Sequence, residues 1–363
     1  MNPTTDGGAA DGAEVTDDRR SGEYVADGEA YERDTNYLTT RITADGSSGY
    51  PVEPGRYRLI VARACPWANR AMIARRIYGL EDAISQGMAG PTHDARSWTF
   101  DLDPGEVDPV LGIHFLKDAY ERRRPGYPRG ITVPAVVDVA TGAVVTNDFA
   151  QLTLDLGSQW RAHHRPGAPD LYPRSLRAEL DELMAFVFRQ VNNGVYRCGF
   201  AGSQEAYDAA YDELWAALDA LEERLATRRY LMGPSITEAD LRLYPTLIRF
   251  DVVYHAHFKC NRQSLATMPN LWNYTLDLFQ TPGFGDTNDF VQIKQHYYGV
   301  HTDLNPTGIV PKGPRLDGLL AKHDRGEGRF ETDTWGPGGT PPQPPPSAEV
   351  VDPAHTPLRI TGR

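Results

Sequence analysis

Arg58-Leu-Ile-Val-Ala-Arg-Ala-Cys65-Pro66-Trp67-Ala68-Asn-Arg70 places one cysteine where an apolar, β-forming run gives way to a helix. Residues 58–64 read as a buried strand and residues 66–78 as a helix. Pro66 suits the first helical position, where its missing N–H has no intrahelical partner to lose and its φ is preset. A cysteine just before that position faces unpaired backbone N–H groups and the positive end of the peptide dipoles, which favour thiolate. A thiol pKa below the ~8.5 of a free cysteine is therefore expected at Cys65. The competing reading is a buried structural cysteine. Position 68 is alanine, so no C-x-x-C pair forms, and a disulfide made by Cys65 must be resolved by another molecule's thiol.

Outward from this junction, residues 135–138 and 143–145 read as two strands joined by a turn at Ala140-Thr-Gly142. Together with the first strand and helix they suggest a small α/β domain spanning residues 51–160. From about Pro173 the pattern is helical, giving an all-α domain over 170–313. Tyr207, Tyr211, Leu214, Leu218, Leu221 and Leu225 fall at steps of three and four, the stripe of a core-facing helix. Thr237-Glu-Ala-Asp240 announces another helix through a capping-box variant. Pro245 within it predicts a kink or a later helix start.

The 363 residues carry a formal charge of −12, which disfavours nucleic acid or an anionic membrane as partner. Three cysteines, Cys65, Cys198 and Cys260, cannot make an extracellular disulfide framework, and a reducing, cytoplasmic setting is expected. The N-terminus lacks the pattern of a signal peptide, and no run of about 18 apolar residues occurs. Residues 1 to about 30, within an extension ending near 50, are polar and Gly-rich and are expected to be disordered. Residues 314–363 form a Pro/Gly-rich tail whose composition favours an extended, solvated chain.

A thiol-bearing α/β domain followed by a helical domain resembles the glutathione transferases. The motifs make the likeness closer. Cys65-Pro-Trp-Ala68, Ser97-Trp98-Thr-Phe100, Thr132-Val133-Pro134, Asn193-Gly-Val-Tyr196, Thr246-Leu-Ile-Arg-Phe-Asp251, His257-Phe-Lys-Cys-Asn261 and Ile293-Lys-Gln-His-Tyr297-Tyr298 look like the Xi class, the glutathionyl-hydroquinone reductases. The matches run from about Tyr31 to Pro314.

The resemblance implies a thioredoxin-like N-terminal domain with Pro134 as a cis proline, and a thiol site formed by Pro66, Trp67, Trp98, Val133, Pro134 and Asp148. It implies that Cys65 attacks the sulfur of an S-conjugated hydroquinone, and that a second low-molecular-weight thiol frees the resulting mixed disulfide. Tyr196, Tyr254 and Tyr297 match three tyrosines that assist loss of the aromatic carbon, with Tyr298 the alternative to its neighbour. No permanently bound cofactor is implied, and the class is homodimeric. Metal binding by His255-Ala-His257 or His163-His164 is not expected. His296 and His301 could orient the tyrosines or simply pack, and Cys198 and Cys260 are expected to be inert.

Departures concern the thiol. Where the class has Asn-Glu-Ser-Ser at a helix start, this chain has Asn147-Asp148-Phe149-Ala150, and Gly130 stands two residues before Thr132 in place of an arginine. Asp148 either replaces the glutamate or serves as a helix-start acid. Only five lysines accompany many arginines, a skew typical of GC-rich coding. These features suggest an actinobacterial setting, with either mycothiol or glutathione as the thiol. An Omega-like thiol transferase or dehydroascorbate reductase, and a non-catalytic dimerisation or binding module, are the competing functional readings.

Overall fold

The computed structural model describes residues 24–326, 328–330 and 332–344. Strand β1 (Tyr57–Val61) is buried along its whole length, as its unbroken apolar run requires. Helix α1 (Pro66–Tyr78) follows at once and ends at Gly79, whose φ of 68° is left-handed and whose N–H closes onto the carbonyls of Arg75 and Arg76. Strand β2 (Ile84–Met88) then returns parallel to β1, with Tyr57 opposite Ile84. A small hairpin of β3 (His93–Asp94) and β4 (Ser97–Trp98) comes next, then helix α2 (Leu116–Arg123).

Strands β5 (Ala135–Asp138) and β6 (Ala143–Thr146) complete a sheet of order β2-β1-β5-β6, β5 running antiparallel to both neighbours. Helix α3 (Phe149–Ser158) packs on α1. The expected α/β domain is thus present, with its first helix between the expected residues.

The helical region comprises α4 (Arg177–Phe186), α5 (Gly194–Gly199), α6 (Gln204–Thr227), α7 (Glu238–Arg249), α8 (Pro269–Gln280) and α9 (Phe290–Val300). On α6, Leu214, Leu218, Leu221 and Leu225 are buried, whereas Tyr207 and Tyr211 are only partly so. The α7 capping box forms as expected, the Thr237 N–H donating to Asp240 Oδ2 at 2.8 Å. The helix starts at Glu238 and continues across Pro245 to Arg249, so the start is not delayed. Wide π turns at Val187–Asn192 and Phe250–Tyr254 interrupt the regular ladder.

Helix α7 joins the two regions by packing against α1. Arg242 bridges them as well, its Nε paired with Glu238 at 2.9 Å and its Nη2 donating to Ala150 O of α3 at 2.7 Å.

Both ends are anchored to the fold at particular positions. The disorder expected for residues 1–23 lies outside the described residues, but residues 24–30, though mostly exposed, are tied to the helical region. The Ala26 N–H donates to Phe200 O at 2.9 Å, and the Gly202 N–H donates to Glu29 O at 3.0 Å. A Cβ at position 202 would sit 1.8 Å from Ala26 O, so glycine is what permits this approach. The described part of the tail is mostly exposed but anchored at a few positions; residues 345–363 lie outside the described residues. Leu316 and Leu319 are buried, and Arg325 is fully buried with Nε on Arg229 O at 3.0 Å. The Thr340 N–H donates to Gly167 O at 2.8 Å. Composition missed these contacts because they are backbone bonds and a few side chains meeting distant partners, which leave no mark on local composition.

Candidate functional site

The β1–α1 junction places Cys65 as the N-cap of α1, where its Sγ accepts from the Ala68 N–H at 3.4 Å. The thiol also donates to Val133 O at 3.3 Å, across the cis Val133–Pro134 bond that leads into β5. Cys65 is nearly enclosed, 9 % exposed. Burial pushes its pKa up, against the lowering effects of the Ala68 and Trp67 amides and of the Arg249 and Arg33 charges. This reverses the expected direction. The helix-start position supplies the favourable groups, but removal from water outweighs them.

Around the sulfur lies a cavity of about 190 Å³. Of the sequence-predicted residues it is lined by Cys65, Pro66, Trp67, Trp98, Val133, Tyr196 and Tyr297. Trp98 comes from the β3–β4 hairpin, where Ser97 holds a left-handed φ of 112°, a strained conformation for a residue with a Cβ. The Trp98 ring stacks on His296 at 5.1 Å, with planes 10° apart.

The three tyrosines meet although 101 positions separate the first from the last. Tyr196 Oη lies 2.6 Å from Tyr297 Oη, which in turn lies 3.0 Å from Tyr254 Oη. Tyr297 is the central member, flanked by one phenol that reaches the cavity and one that is buried behind it. Burial raises the pKa of all three, and for Tyr297 the neighbouring phenols add to the effect. They therefore remain protonated donors at neutral pH. Tyr298 points elsewhere, its hydroxyl 3.5 Å from Val252 O. Tyr254 ends one π turn and Tyr196 follows the other closely, so both irregular segments help to set this chain.

Asp148 takes the helix-start role. Its Oδ1 accepts from the Ala150 and Gln151 amides at 3.2 Å each, and the residue does not line the cavity. Neither does Pro134. Phe149 lies against Trp67 with ring centres 4.7 Å apart and is 7 % exposed. The position where the class has a serine thus holds an aromatic ring packed against Trp67, and that ring does not line the cavity.

Of the histidines, His257 Nε2 lies 3.2 Å from His301 Nδ1, and His164 stacks on Tyr78. Among the described residues no three His, Cys, Asp or Glu side chains are grouped to hold a metal. Cys198 and Cys260 are buried away from the cavity, and burial pushes the Cys260 thiol well up.

Sequence reasoning missed the contribution of the N-terminal segment. Tyr24 closes one side of the cavity, its hydroxyl 2.8 Å from His93 Nε2 and its ring 4.5 Å from His301. Arg33 lies over Trp67 and Tyr196. The only local signal was a pair of aromatic residues, Tyr24 and Tyr31, in an otherwise polar stretch.

Residues 204–275 match the family model for the glutathione S-transferase C-terminal domain. The chain is 39% identical to the glutathionyl-hydroquinone reductase of Escherichia coli over 298 residues, covering 80% of this chain and 90% of that one. A crystal structure of a glutathione transferase from Gordonia bronchialis is 67% identical, with a TM-score of 0.85, covering 87% of this chain and 98% of the other. A glutathione-bound E. coli homologue is 38% identical, with a TM-score of 0.75 over 84% of this chain and 100% of its own. A helix-start cysteine with no second cysteine three positions on, a cis proline opposite it and a helical domain lending tyrosines to the same cavity accompany these likenesses, and the chain belongs to the glutathionyl-hydroquinone reductase family, the Xi class of glutathione transferases.

Proposed function

We propose that this protein reduces S-conjugated hydroquinones with a low-molecular-weight thiol, through a mixed disulfide at Cys65. The observation that carries the reading is that one cavity brings the sole cysteine at a helix start together with the tyrosine chain. In the first step the Cys65 thiolate attacks the conjugate's sulfur. An S–S bond forms, the C–S bond breaks, and its electron pair goes to the aromatic ring, which takes up a proton at carbon. A second thiol, as thiolate, then attacks the mixed disulfide and releases Cys65 together with a small-molecule disulfide. Over both steps the conjugate is reduced to hydroquinone, while its own sulfur and one free thiol are oxidised to the disulfide and Cys65 is regenerated.

The difficult event is expulsion of carbon from sulfur. Protonated phenols at Tyr196 and Tyr297 can hydrogen-bond the ring oxygens and stabilise charge gathering there, and Tyr254 holds Tyr297 in place. Burial holds the Cys65 thiol up, while the Ala68 and Trp67 amides and the Arg249 and Arg33 charges favour the thiolate that the first step uses.

The recycling thiol is glutathione or mycothiol. The glutathione-bound relative supports the former. The packed Phe149 and the Asp148 carboxylate engaged by its own helix support a thiol without a γ-glutamyl group. A cytoplasmic homodimer completes the reading, and no helix among the described residues is long and apolar enough to cross a membrane. The direct test is turnover of one aryl conjugate prepared with each thiol: release of hydroquinone with either supports the reading, and no release with both refutes it.

A further inference from the structure

The mechanism above gives no task to Arg33, yet the residue is held with unusual care. Its Cζ lies 4.4 Å from the Trp67 ring centre and 4.8 Å from that of Tyr196. Its Nε donates to Asn193 Oδ1 at 2.9 Å. Nη2, by contrast, is buried and has no hydrogen-bond acceptor, and the residue lines the same cavity as Cys65. A buried donor left unpaired costs about 1–3 kcal/mol, and more when charged. Stacking and the Asn193 bond would anchor the side chain without that cost, so the free N–H calls for a ligand.

Other charges in the cavity wall are already engaged. Arg129 is 56% exposed and faces Asp34 at 3.6 Å, and Asp94 binds Arg96 Nε through both carboxylate oxygens at 3.1 and 3.0 Å. Arg33 is thus a fixed positive group clamped between the ring that follows the nucleophile and the first ring of the tyrosine chain. Lysine could not reproduce that planar clamp.

We propose that Arg33 is an oxyanion-binding residue of this cavity, donating Nη2–H to a negatively charged oxygen of the bound conjugate. The proposal rests on the reductase reading for the identity of that ligand. Two sources supply the same chemistry: a carboxylate of the thiol portion, or the quinol oxygen on which charge collects as the C–S bond breaks. A mycothiol conjugate, whose thiol portion has no carboxylate, leaves only the second.

Calorimetric binding of unreactive ligands to the full-length protein tests this apart from turnover. The probes are S-methylglutathione and its dimethyl ester, and a chlorinated hydroquinone ionised at the assay pH beside unchlorinated hydroquinone. Arg33→Gln should weaken at least one anionic probe by about tenfold or more, equivalent to about 1.4 kcal/mol, and leave its neutral counterpart within about twofold. Arg33→Lys should recover part of the loss; if the glutamine variant does not fold, the lysine variant serves, with a smaller loss on the same probe alone. Loss on S-methylglutathione assigns the carboxylate, and loss on the ionised quinol assigns the ring oxygen. Equal weakening of charged and neutral probes, or no weakening of any, overturns the proposal. Failure of wild type to turn over aryl conjugates would count against the reductase reading and leave these binding contrasts unaffected.

Discussion

Arg249 of α7 donates from Nε to the carbonyl oxygen of Ala64, the residue before Cys65, at 3.1 Å. The same guanidinium reaches Arg63 O at 2.9 Å and Asn69 Oδ1 at 3.0 Å, and it is fully buried. The helical region thereby fixes both sides of Cys65 and places a positive charge near its sulfur. Arg249→Met should destabilise the fold by several kcal/mol, since each orphaned buried acceptor costs about 1–3 kcal/mol. It should also move the pH profile of Cys65 alkylation further above that of a free thiol, because one of the charges that lowers the pKa is gone. Thermal melting and iodoacetamide kinetics check both effects, and an unchanged melt would mean that these bonds are dispensable.

Replacing Tyr196 or Tyr297 by Phe should slow reduction of hydroquinone conjugates far more than reduction of a simple mixed disulfide. A sulfur leaving group needs no help from a phenol, whereas an aromatic carbon does. By analogy with the loss of one oxyanion donor, the aryl reaction should fall by roughly a hundredfold or more. Tyr254→Phe should act in the same direction through Tyr297, and double variants should lose less than the product of the single losses. Equal losses on both substrates would reduce the trio to packing.

Stability should fall on mild acidification. Burial lowers His93 to about 4, His257 to about 4 and His296 to about 3, below the ordinary 6.5. Between these values and 6.5 the unfolded chain binds more protons than the folded one. The stabilisation is therefore complete above about pH 6.5 and is lost as pH drops toward about 4. Every tenfold weakening of proton binding on folding corresponds to about 1.4 kcal/mol at most. Melting temperature followed from about pH 7.5 to about pH 4.5 should decline, and His296→Gln should flatten the decline. A flat wild-type profile would show that these rings protonate freely in the fold.

On the mycothiol reading, glutathione should be the poorer recycling thiol. Phe149 offers no hydroxyl, and a γ-glutamyl carboxylate placed against it would lose about 1–3 kcal/mol for each missing hydrogen bond. The double change Asp148→Glu with Phe149→Ser should improve use of glutathione in steady-state kinetics. Wild type recycling equally well with glutathione and mycothiol at low concentration would contradict this.

The fold was legible where one local pattern decides the outcome. The apolar strand, Pro66 and the Thr237–Asp240 box define their elements with little help from distant residues, and α1 occupies the expected span. Family motifs indicated the tyrosines, but not that Tyr297 would be the middle of the chain, since that depends on two π turns with no plain sequence signature. The Cys65 pKa was misjudged because a helix start is a local feature and burial is a tertiary one. Arg33 and Tyr24 were hidden for a related reason: a polar, Gly-rich composition predicts little burial, yet two side chains suffice to tie the segment across the cavity.

The most direct test of the account is intact-protein and peptide mass spectrometry after a single turnover of an aryl conjugate without added thiol. The account predicts one equivalent of released hydroquinone and one thiol adduct on Cys65, reversed by reductant, with neither formed by Cys65→Ser. An adduct on Cys198 or Cys260 alone, or hydroquinone released by the serine variant at the wild-type rate, would contradict it.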